Sequence, residues 1–328
     1  MHCWASQQWH PFSTGRQTEK PQTMLRWRFL LGTLIIAALV GLCWLDTGAP
    51  APGLYLMPVV VVLAVMATRE LLDLAAAAGH NPLRWTIYFG NVFLVVGLWW
   101  LSAFWVSEPD PWKGETVSPK PCVFAPGVPL LVFFAAVLLV LREEVWRYRK
   151  PGGNLANIAT GVFALFYVGL MLCFAVQMRV IWGIGALAAW IITVKMGDSG
   201  AYLVGRLFGR HKLAPLISPN KTIEGAVGAL AFACLGSWLA FKLVVPFSDV
   251  SLEYKPGPWW GWIAFGLLVG AAGIFGDLTE SLLKRDVGRK DSSDWLPGFG
   301  GVLDILDSLL LSAPVAWFCW ASGMLGHF

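Results

Sequence analysis

The run 276–308, GDLTESLLKRDVGRKDSSDWLPGFGGVLDILDS, sets charges, glycines and one proline between two strongly apolar segments. A helix entering it puts Asp277, Glu280, Ser281 and Lys284 on one face, at i, i+3, i+4 and i+7. A helix leaving it puts Asp304, Asp307 and Ser308 on one face by the same spacing. Between them lie Lys284, Arg285, Arg289 and Lys290, then Pro297, Gly298, Phe299, Gly300 and Gly301. Carboxylates hold hard cations, basic side chains hold phosphates, and a glycine-rich helix entry lets backbone N–H groups approach an anion. The combination predicts a metal-dependent phosphate or nucleotide site at a membrane surface.

Working outward, the composition supplies the membrane. Hydrophobic residues make up 57% of the 328, and charged residues only 13%. A soluble domain carries roughly 25% charged residues. The expected fold is all-α: a polytopic helical membrane bundle of about nine transmembrane helices. Residues 1–24 read as a disordered tail and 25–328 as a single integral membrane domain. Nineteen tryptophans fit interfacial belts. The six cysteines form no CxxC pair and most sit in apolar runs, so they read as core residues.

Apolar segments fall near 29–45, 54–76, 85–106, 122–141, 155–177, 180–204, 224–246, 257–282 and 301–325. Ala49-Pro50-Ala51 resembles a signal-peptide cleavage site, but the chain stays hydrophobic beyond it, which favours a retained first span. With the N-terminus in the cytoplasm, seventeen Lys and Arg fall on cytoplasmic segments and four (Lys113, Lys120, Arg179 and Lys255) on the other side. That asymmetry predicts nine spans, an external C-terminus and a site facing the cytoplasm.

A second polar stretch runs from Gly197 to Gly225. Asp198 and Tyr202 share a helix face, and Lys195 one turn earlier can neutralise Asp198. Ser218-Pro219 reads as an N-cap followed by proline at the first helical position, with Lys221 and Thr222 in the first turn. Such a start either binds phosphate or is an ordinary capped helix; the residues alone leave both readings open. Arg69-Glu70, inside the second apolar segment, reads as a structural internal ion pair. No histidine pair of HExxH type, P-loop or GxGxxG fingerprint is present.

These stretches together resemble the phosphatidate cytidylyltransferase family. The similar residues are Ser281-x-x-Lys284-Arg285, Lys290-Asp291-x-Ser293, Leu296-Pro297-Gly298, Gly300-Gly301, Asp304 and Asp307. Upstream, Asp198-x-Gly200-Ala201-Tyr202, Gly205-Arg206 and Ser218-Pro219-x-Lys221-Thr222-x-Glu224-Gly225 agree in order and spacing. The resemblance implies transfer from CTP to phosphatidic acid, giving CDP-diacylglycerol and pyrophosphate. It implies an Mg²⁺ site with Asp277 and Asp304 as ligands and Asp307 as ligand or neighbour, with K⁺ as a candidate companion ion. Asp277, Lys284 and Asp304 become the catalytic candidates. Ser218, Lys221, Thr222, Arg285 and Lys290 become the candidates for holding substrate. The partners implied are CTP, phosphatidic acid and membrane lipid, with a homodimer as candidate assembly and no nucleic acid. The location implied is a cell inner membrane or plasma membrane.

Two positions depart from the pattern: Phe299 stands where the family has histidine, and Ile305 where it has a basic residue. Both changes remove a polar group beside the expected phosphates. Besides a binding paralogue without turnover, two other functions fit the residues. A CTP-dependent kinase of a polyprenol or phytol-like alcohol would release CDP rather than pyrophosphate. A transporter with a cation site at Asp277 and Asp304 would move ions without nucleotide turnover.

Overall fold

The computed structural model describes residues 21–105, 127–149, 152–248, 255–293 and 300–327. Among the described residues, the first four helices are α1 (Pro21–Thr47), α2 (Met57–Ala77), α3 (Arg84–Trp105) and α4 (Gly127–Arg147). α5 (Asn154–Ala164) passes through a π turn (Leu165–Leu170) into α6 (Met171–Phe208). Two short antiparallel strands follow, β1 (Lys212–Ala214) and β2 (Ser218–Thr222), registered Lys212 to Thr222 and Ala214 to Ser218. α7 (Ile223–Leu239) runs through a second π turn (Ala240–Val244) into α8 (Val245–Ser248). β3 (Lys255–Pro256) pairs with β4 (Gly326–His327), and between them lie α9 (Gly261–Asp286) and α10 (Val302–Ala321).

This is a polytopic helical membrane bundle. Each of the nine predicted apolar segments contains a helix. Among the described residues, five helical runs are long and apolar enough to cross a membrane. One of them, Asn154–Phe208, is 55 residues long. It breaks at Gly183 (φ 80°, ψ −172°), a conformation that glycine reaches without the steric penalty of a Cβ.

The break corrects the predicted boundary, which put Arg179 in a loop between two spans. Arg179 lies inside α6 and is buried. A guanidinium tolerates that position only with a partner. Its Nε donates to Asp46 Oδ2 at 2.7 Å, and its Nη2 to Asp46 O at 2.9 Å. The Asp46 carboxylate also accepts from the backbone N–H of Gly53 and Tyr55, both at 2.9 Å. The end of α1 is thereby tied to α6.

α6, α7, α9 and α10 pack against one another, while α3 joins α2 and α4 to α6. Small residues set the closest approaches, as expected where lipid leaves packing to drive helix association. A Cβ on Gly228 would lie 3.0 Å from Gly200 O, and one on Gly200 2.7 Å from Gly228 O. A Cβ on Gly276 would collide with Asp307 O. α9 and α10 therefore touch backbone to backbone beside Asp277.

Candidate active site

A cavity of about 520 Å³ opens between α6, α7 and α9. Its deeper wall is small and apolar: Val194 and Gly197 of α6, Ala229 of α7, Gly270 and Gly273 of α9. Its polar end lies where α6 stops and α7 starts, with Tyr202, Arg206, Ser218, Asn220, Lys221 and Thr222. Asp198 and Asp277 line it between the two.

The strands build the polar end. Ser218 does not cap a helix, which corrects the sequence reading. Ser218 to Thr222 are extended and pair with β1, and the cap is Thr222, whose Oγ1 accepts from Gly225 N at 3.1 Å. The pairing satisfies backbone that a helix starting at Pro219 would have used internally. It also moves Lys221 out of the first turn of α7 and onto the cavity wall. Lys221 Nζ lies 2.7 Å from Asp277 Oδ2 and has no aligned hydrogen-bond acceptor.

A second charged group forms where α9 meets the start of α10. Lys284 Nζ donates to Asp304 Oδ1 at 2.5 Å and also pairs with Glu280 Oε2, one turn earlier on α9. Glu280 is fully buried, and Lys284 and Asp304 are nearly so. Asp304 Oδ2 accepts from Gly301 N at 2.7 Å, Ser292 N at 3.0 Å and Ser292 Oγ at 2.8 Å. Both oxygens of Asp304 are thus engaged.

Asp307 and Ser308 lie behind the cavity. Asp307 is buried, with Oδ1 accepting from Ser308 N at 2.5 Å. Ser308 Oγ donates to Asp198 Oδ2 at 3.1 Å. Lys195 Nζ donates to the same Asp198 oxygen at 3.0 Å, which is the predicted neutralisation, and reaches Ile305 O at 3.2 Å.

The structure therefore sorts the predicted residues. Ser218, Lys221, Thr222 and Asp277 meet at the cavity, and Lys284 and Asp304 form the adjoining ion pair. Arg285 donates from Nε to Ile217 O at 3.3 Å, tying α9 to the loop before β2. Lys290 is exposed in the turn after α9. Phe299, with Leu296, Pro297 and Gly298, lies outside the described residues.

The expected Arg69–Glu70 pair does not form. Arg69 Nε faces Asp73 at 3.9 Å, while Glu70 is buried and reaches Ser292, Ser293 and the start of α10. Glu70 Oε1 accepts from Ser293 Oγ (2.7 Å) and Val302 N (2.9 Å). Glu70 Oε2 accepts from Ser292 Oγ (2.8 Å) and Leu303 N (2.8 Å). Three donors, with the Ser292 hydroxyl shared with Asp304, hold the carboxylate more fully than one exposed guanidinium could. Its only sequence signal is an acid inside an otherwise apolar segment.

Among the described residues, no three His, Cys, Asp or Glu side chains gather as a ready metal cage. A magnesium–nucleotide site does not require one, because one or two carboxylates with phosphate and water complete the coordination. Asp277 and Asp304 each hold a lysine ammonium at 2.7 and 2.5 Å, so both already face a cation. Hard carboxylate oxygens fit Mg²⁺ in kind, and Asp277 offers one at the cavity, whereas Asp304 would have to give up donors it already accepts from.

The comparisons with known proteins give the family of the chain. A family model described as the Cytidylyltransferase family matches residues 26–322. A Chlamydia pneumoniae phosphatidate cytidylyltransferase is 31% identical over 88% of this chain and 90% of its own. One from Staphylococcus aureus (strain COL) is 32% identical over 86% of this chain and 95% of its own. The Chlamydia muridarum phosphatidate cytidylyltransferase is 34% identical over 57% of this chain, an alignment that spans 61% of the relative. The chain belongs to the cytidylyltransferase family.

Proposed function

We propose that this protein is a CTP:phosphatidate cytidylyltransferase, acting in phospholipid biosynthesis at the cytoplasmic face of a plasma or inner membrane. A phosphate oxygen of phosphatidic acid attacks the α-phosphorus of CTP. The bond from that phosphorus to the β-phosphate oxygen breaks, pyrophosphate leaves and CDP-diacylglycerol forms. The nucleophile is already an anion, so no side chain has to remove a proton from it.

The observation that carries this reading is the cavity itself. Its apolar depth and charged end suit an amphiphile with a phosphate head, in a chain the family model matches over residues 26–322. Lys221 at the wall and Lys284 beside Asp304 are the amines for phosphate oxygens, with Arg285 and Lys290 nearby in sequence. Ser218 and Thr222 add hydroxyl groups at the polar end. Asp277 and Asp304, with Asp307 near them, would hold Mg²⁺. When bound, the ion supplies charge neutralisation on the phosphates. K⁺ as a second ion belongs to the same proposal, with no residues assigned to it.

The test is turnover by purified protein given α-labelled CTP, Mg²⁺ and phosphatidic acid. The expected result is labelled CDP-diacylglycerol with equimolar pyrophosphate, lost in Asp277→Asn. Transfer of label from γ-labelled CTP with release of CDP would replace this reading with the alcohol kinase. Ion flux in proteoliposomes without nucleotide consumption would replace it with the transporter.

A further inference from the structure

α10 begins without a cap of its own. Its N-cap residue is Gly301, which has no side chain to accept from the first free N–H groups. Asp304 reaches back to Gly301 N, which is one half of a capping box. The other half comes from a different helix. Glu70 of α2 accepts from the N–H groups of Val302 and Leu303, more than 230 residues away in sequence. Glycine at 301 makes room for this: a Cβ there would strike Ser292 Oγ and Glu70 Oε2.

Glu70 also reaches the charged group of the site. Ser292 Oγ stands 2.8 Å from Glu70 Oε2 and 2.8 Å from Asp304 Oδ2. A hydroxyl has one proton, so it donates to one carboxylate at a time and senses both. Asp304 in turn fixes Lys284. A chain of contacts thus runs from α2 through the Ser292–Ser293 turn and the start of α10 to the lysine on α9.

We propose that Glu70 is a positioning residue of the active site, a cap lent by α2 that sets the start of α10 and, through Ser292, the geometry of Asp304 and Lys284. The catalytic part rests on the function proposed above; the capping part does not. Partners one step removed from a reacting group are commonly worth about ten- to hundredfold in activity.

The experiment compares wild type, Glu70→Gln, Ser292→Ala, their double variant and Thr68→Val, all as full chains. Thr68 is the control: it is buried two residues away on α2, donates to Ala64 O and accepts from Asn91 Nδ2, away from the site. Glutamine keeps the size of Glu70 but replaces one acceptor oxygen by a donor. Glu70→Gln is expected to lower kcat about ten- to hundredfold while KM for each substrate changes by less than about threefold. Amide exchange should quicken in peptides covering 287–305 and not elsewhere. The double variant should be no worse than the more damaged single variant, because both act on one contact. Thr68→Val should lose thermal stability with kcat intact. A Glu70→Gln enzyme with wild-type kcat overturns the proposal. So does one whose exchange rises across the whole bundle in step with lost activity, as a merely structural residue would give. If wild type makes no CDP-diacylglycerol, the proposed function fails and exchange alone decides. Faster exchange confined to 287–305 then supports the cap, and unchanged exchange there removes it.

Discussion

Replacing Lys284 by methionine removes one cation from two carboxylates. Lys284 is 12% exposed, Asp304 11% and Glu280 0%. At 2.5 Å and an effective dielectric of about 20, the attraction to Asp304 alone is on the order of 7 kcal/mol before desolvation is counted. Desolvation of the lysine cancels part of this, and deleting one member of a buried pair typically costs about 3–5 kcal/mol. Asp304 keeps the backbone donors of Gly301 and Ser292, so most of the penalty falls on Glu280, which has no aligned hydrogen bond. Lys284→Met should therefore lower the apparent melting temperature in detergent by roughly 6–10 °C, at about 2 °C per kcal/mol for a chain of this size. Adding Glu280→Gln removes the unpaired buried carboxyl group and should recover at least half of that loss. Activity should behave differently. If Lys284 contacts a phosphate, the double variant stays as inactive as Lys284→Met although it is folded. Recovery of turnover together with stability would refute the phosphate contact and leave Lys284 only a structural counter-ion. An unchanged melting temperature in Lys284→Met would refute the buried-charge reasoning itself.

Thr222→Ala should cost about 1 kcal/mol through loss of the α7 cap, read as a lower melting temperature. Arg179→Met should destabilise by about 3–5 kcal/mol, because Asp46 is left buried and charged, and Asp46→Asn in the same chain should restore part of it. Phe299→His should raise kcat with metal dependence unchanged, because a single preorganised donor can be worth on the order of a hundredfold. A neutral or harmful Phe299→His in a fully active enzyme would show that position 299 supplies no such donor.

Much of the bundle was legible because the membrane imposes a simple rule: apolar runs of about twenty residues become helices. Where prediction and structure part, a long-range partner decided. Arg179 reads as a loop residue until Asp46, 133 positions away, neutralises it inside α6. Ser218-Pro219 carries every local mark of a helix start, yet pairing with β1 draws it into a strand and passes the cap to Thr222. The pairing of Glu280 with Lys284 follows from their spacing of four on α9. That Lys221 meets Asp277, or that Glu70 caps α10, does not follow from any spacing, because the partners lie on elements that only the tertiary packing brings together.

The same packing bears on the two departures from the family pattern. The resemblance implies a basic side chain at the position of Ile305, at the start of α10 and next to Asp304. In the structure an ammonium reaches that turn from another helix. Lys195 of α6 places Nζ 3.2 Å from Ile305 O and 3.3 Å from Ser308 Oγ, while pairing with Asp198 at 3.0 Å. Three lysines on three elements thus each face a carboxylate: Lys195 with Asp198, Lys221 with Asp277, and Lys284 with Glu280 and Asp304. Positive charge near the start of α10 is retained although residue 305 no longer carries it. Coulomb attraction depends on where the charge sits, not on which helix delivers it. A hydrogen-bond donor differs in this respect, because its value lies in a direction fixed by its own backbone. The substitution at 305 is therefore of the kind that a neighbouring helix can offset, and the one at 299 is not. Phe299→His, rather than Ile305→Arg, is therefore the substitution expected to raise turnover.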